Sequence, residues 1–80
     1  MPAFALFWIV HRDGDGPHVM VARAPALIHA KLRALIAGLP GDYVEGHMLD
    51  AAREKRVPHA LVGRPLTQAE VDRLLERLGR

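Results

Sequence analysis

The spacing of apolar and polar residues changes along the chain, and each change marks an element. Phe4-Ala-Leu-Phe-Trp-Ile-Val10 is an unbroken apolar run rich in aromatic and β-branched side chains. Such a run reads as a strand covered on both faces, and it forms the centre of the expected core. Asp13-Gly-Asp-Gly-Pro17 follows, with Asp-Gly twice and a proline, which predicts a hairpin turn. His18-Val-Met-Val-Ala22 supplies the return strand.

The period then lengthens. Ile28, Leu32, Leu35, Ile36 and Leu39 recur at spacings of 4, 3, 1 and 3, which places them on one stripe of a helix. That stripe is expected to face the core. Pro25 suits the helix entrance, and Gly38-Leu-Pro-Gly41 ends it. On the other side lies a smooth strip of Ala26, Ala30, Ala34 and Ala37, expected to let a second element or a partner subunit approach closely. His29 and Arg33 border that strip and join it as candidate interface residues.

Tyr43 to Leu49 reads as a third strand, weakened by Gly46, which interrupts it. Asp50 is placed to cap a short helix over Ala51–Arg56, and Val57 to Leu66, with two prolines and a glycine, reads as a loop. Thr67-Gln-Ala-Glu70 is a capping box opening a last helix, with Val71, Leu74, Leu75 and Leu78 on one face.

The order is β-β-α-β-α-α, a single α+β domain over residues 1–80. A hairpin fixes the first two strands as neighbours, and a right-handed crossover brings the third beside the first. The expectation is a three-stranded antiparallel sheet in order 2-1-3, with the helices packed on one face.

Composition narrows the function. The chain has no Cys, Ser or Asn, and only one Thr and one Gln. This removes disulfides, thiolate metal sites, serine and cysteine nucleophiles and the phosphate-binding P-loop. The longest apolar run, Ala3 to Val10, has eight residues, against about 20 needed to cross a bilayer. No basic residue precedes it in the manner of an export signal, so a cytoplasmic location and no membrane association are expected.

Charge modifies that picture only locally. The formal net charge is +2, divided as −1 over residues 1–50 and +3 over residues 51–80. Arg53, Lys55, Arg56 and Arg64 form the densest basic patch, the candidate contact for a nucleic acid in the alternative reading. His11 and His18 should face each other across the hairpin, where His47 or Asp13 would be needed to complete a metal site. Asp13-Gly-Asp15-Gly starts like a calcium loop but lacks its third acid and closing Glu. No metal, cofactor or small-molecule substrate is therefore expected, and no pair of acid–base groups is spaced as a catalytic site. The leading expectation is a non-enzymatic interaction module that binds a protein partner or itself.

Overall fold

A computed structural model describes residues 3–79. Strands β1 (Ala5–Asp13) and β2 (Gly16–Ala24) form the hairpin, helix α1 (Leu27–Ile36) crosses over, and β3 (Asp42–Met48) returns. Helix α2 (Ala51–Glu54), a single 3₁₀ turn at His59–Leu61 and helix α3 (Gln68–Leu78) complete the chain. The sheet is antiparallel with order β2-β1-β3, as the hairpin and crossover require.

Register follows the turn. Asp13 pairs with Gly16 and His11 with His18, so Asp13 to Gly16 close a tight hairpin with Gly16 at φ 110°. On the other side, Val10 pairs with Glu45 but His11 with Tyr43, leaving Val44 as an extra residue in a bulge. Gly41, at φ 87°, brings β3 into place: a Cβ there would sit 2.5 Å from the Arg12 carbonyl oxygen. Gly46 does not break β3. It makes room for close packing, since a Cβ would lie 2.8 Å from Ile9 Cδ1 and 3.0 Å from Leu27 Cδ1.

The two long helices lie on opposite faces of the sheet, which corrects the expectation of one covered face. Phe7 and Ile9 from β1, with Met20, Ala22 and Ala24 from β2, pack with Ala30, Ala34 and Leu39. The alternate residues Leu6, Trp8, Val19 and Val21 pack with Val71, Leu74 and Leu78 of α3, together with Leu49 and Val57. The physical reason is β1 itself. Its side chains alternate between faces, and both sets are large and apolar, so each face needs its own cover.

Helix α3 is capped as its sequence requires. The Thr67 hydroxyl accepts from the Glu70 backbone N–H, and the Glu70 carboxylate accepts from the Thr67 N–H. Gly79 closes the other end at φ 71°. The Val57–Leu66 segment does more than connect. Gly63 N–H donates to the Val21 carbonyl and Leu66 N–H to the Val19 carbonyl, so this loop covers the outer edge of β2.

Candidate interaction surface

Helix α1 is inverted relative to the periodicity reading. Ala30 and Ala34 are fully buried against the sheet, while Ile28, Leu32, Leu35 and Ile36 are 71%, 54%, 64% and 78% exposed. Packing space decides this orientation. The sheet face beneath α1 already carries Phe7, Ile9 and Met20, and small side chains opposite them let the helix backbone approach the sheet closely. The helix therefore turns its small side chains inward. Leu39, assigned to the same stripe, lies beyond the helix end and turns into the core instead.

This corrects the assignment of the alanine strip as a partner surface. Ala30 and Ala34 are closed off by the chain's own sheet, Ala26 is half-buried, and only Ala37 is exposed. His29 and Arg33 remain at the surface. The surface the structure offers instead is the apolar ridge of Ile28, Leu32, Leu35 and Ile36. Periodicity had found its residues but placed them on the wrong side.

The ridge has defined borders. At 100° per residue, Lys31 falls along one flank and His29 with Arg33 along the other. On the β3 side the Lys31 ammonium lies 4.1 Å from the Tyr43 ring centre, a cation–π contact, and Tyr43 stands edge-on to His11 at 6.2 Å. On the β2 side is a cleft of about 410 Å³ between the end of α1 and the Val62–Gly63 loop. Met20, Ala22, Ile36 and Val62 give it apolar walls, and Arg23 and Arg33 also line it.

The basic patch does not act as one free surface. Arg64 makes a bidentate pair with Glu70, at 3.0 and 2.6 Å, and also donates to the Ala60 and Pro65 carbonyls. Arg53 pairs with Asp50 at 3.1 Å, the residue that caps α2. Lys55 and Arg56 are exposed. Two of the four cations thus serve internal carboxylates, and no linear motif announces the Arg64–Glu70 pair.

That pair sets an expected acid response. The Arg64 guanidinium, with the Thr67 backbone N–H, holds the Glu70 carboxyl down to about 2 from its ordinary 4.5. A depressed carboxyl stabilises the fold fully above its unfolded value and loses that contribution as pH falls through the folded value. The thermal midpoint should therefore drop between about pH 4.5 and 2, and Glu70→Gln should flatten that slope. Superimposable acid profiles of the two proteins would show that the exposed pair contributes nothing.

The histidines divide between faces. His11 is buried and its Nδ1 lies 3.2 Å from the Leu39 carbonyl oxygen, which ties the α1–β3 connection to β1. His18 Nε2 sits 2.8 Å from Asp13 Oδ1, and this contact, with the Asp15 N–H, lowers the Asp13 carboxyl below its usual range. His47 pairs with Trp8, on the α3 side, so it does not join His11 and His18. Among the described residues, no group of three His, Asp or Glu is arranged to hold a metal ion. Among them, too, no helix is long and apolar enough to cross a membrane. Compared with known proteins, the chain matches no family, no curated protein and no solved structure.

Proposed function

We propose that this domain is a small, cytoplasmic, non-enzymatic interaction module that docks a protein partner on the outer face of α1. One observation carries the reading: the helix keeps Ala30 and Ala34 inside and leaves four of its five large apolar side chains, Ile28, Leu32, Leu35 and Ile36, mostly in water. Full burial of each such side chain is worth about 1.5–3 kcal/mol, and with more than half of each exposed the isolated domain forgoes most of that at four positions. Single exposed apolar residues are ordinary, but a contiguous ridge at helical spacing is the form in which helices present themselves to partners. A domain of 80 residues has little stability to lose, so a ridge of this kind is better supported as a binding surface than as idle surface.

The test is a double variant, Leu32→Glu with Ile36→Glu, beside a control, Glu76→Ala, on the exposed side of α3. Both α1 positions are exposed, so thermal midpoints should stay close to that of the unchanged domain. Proteins retained from native extract by the parent and the control should be lost to the double variant, with retention reduced by about tenfold or more. Equal retention by all three would remove α1 from the interaction.

A further inference from the structure

The docking face carries charge of one sign. From Gly16 to Gly41 the sequence holds Arg23, Lys31 and Arg33 with His18 and His29, and no Asp or Glu. On the helix these cations border the apolar ridge on both flanks, Lys31 beside β3 and Arg33 beside the 410 Å³ cleft. Arg23 also lines the cleft, but it alternates with Val19 and Val21 onto the α3 side of the sheet, where its guanidinium lies 3.9 Å from the Glu54 carboxylate, so Arg33 is the cation of the cleft on the α1 face.

Symmetry argues against a second copy of this chain on the ridge. A two-fold pairing of α1 with α1 sets like borders together: Lys31 against Lys31 when the helices run antiparallel, Lys31 against Arg33 when they run parallel. Cations desolvated side by side oppose association. A lipid surface satisfies the charge but leaves the cleft beside Ile36 unfilled, because a bilayer presents a slab and not a side chain.

Taking α1's outer face as the docking surface, we infer that its occupant is an acidic amphipathic segment of another protein. Its apolar ridge meets Ile28, Leu32, Leu35 and Ile36, one apolar side chain enters the cleft, and its carboxylates lie against Lys31 and Arg33. Guanidinium pairs suit carboxylates through two parallel hydrogen bonds, which gives the cleft end of the surface its selectivity.

The experiment titrates the isotope-labelled domain with two synthetic helices, each with leucines at i, i+3, i+4 and i+7. One carries Glu on both flanks of the leucine stripe, and the other carries Lys at the same places. The Glu peptide should shift amide signals confined to α1 and the cleft, bind at least about tenfold more tightly than the Lys peptide, and weaken as salt rises. Lys31→Glu with Arg33→Glu should reverse the preference.

Equal binding of the two peptides at α1 overturns the acidic partner and leaves the docking face standing. So does a concentration-dependent dimer in light scattering without peptide binding, or binding only to phosphatidylserine-containing vesicles. Absence of any peptide binding also overturns it. If Leu32→Glu with Ile36→Glu in addition changes nothing in the extract experiment, the docking face itself falls.

Discussion

Leucine at Ala30 or Ala34 is expected to destabilise the domain by about 1–3 kcal/mol at either site. Alanine at Leu32 or Ile36, on the same helix, should change stability by about 0.5 kcal/mol or less. Alanine and leucine are both good helix formers, so the contrast isolates packing from propensity. The inward alanines are fully buried in the cluster of Phe7, Ile9 and Met20, and a larger side chain there is expected to lift the helix or bend the sheet. Eighty residues support a total of about 4–12 kcal/mol, so the Ala30→Leu, Ala34→Leu double variant should lose about 2–6 kcal/mol, roughly half of it. Urea midpoints at constant slope provide the measurement. A larger loss at Leu32 than at Ala34 would mean that α1 sits the other way round.

Leu74→Ala is the second large effect, expected at about 2–5 kcal/mol. Leu74 is fully buried against Leu6, Trp8 and Val21 on the face away from α1, and truncation leaves a cavity between α3 and the sheet. Trp8 is the chain's one tryptophan and lies on this face, so its fluorescence reports directly on the damage. Its emission should move to longer wavelength, and unfolding followed by Trp8 should track the loss of secondary structure. A cost below about 1 kcal/mol with unchanged emission would show that α3 is not held by this cluster.

Local signals in the sequence were sufficient wherever one short-range rule acted alone. Asp13 to Gly16 specify a turn and thereby the His11–His18 register, and Thr67 with Glu70 specify the start of α3. The sheet order followed from connectivity. The errors arose where two surfaces had to be matched. Helical period finds a stripe on α1 but carries no sign, because both sides of that helix are apolar, one large and one small. The sign comes from the volume already present across the contact, at Phe7, Ile9 and Met20, which lies far away in sequence. The misplaced helix layer has a related cause. The apolar run through Phe7 and Trp8 demanded two covers, and assigning both helices to one face left half of that demand unmet. Arg64 shows the same limit at the surface. Its partner Glu70 was already accounted for as a helix cap, and nothing linear shows that one carboxylate does both.

The closed outer edge of β2 also bears on how this molecule can assemble. Gly63 and Leu66 occupy the Val21 and Val19 carbonyls, so among the described residues the middle of β2 is closed and β3 is the open margin for a new backbone ladder. A sheet with a single open margin can join one neighbour through that margin and then has none left. Strand-to-strand association in this protein accordingly stops at a pair, and endless fibre growth would first require the Val62–Leu66 segment to peel away.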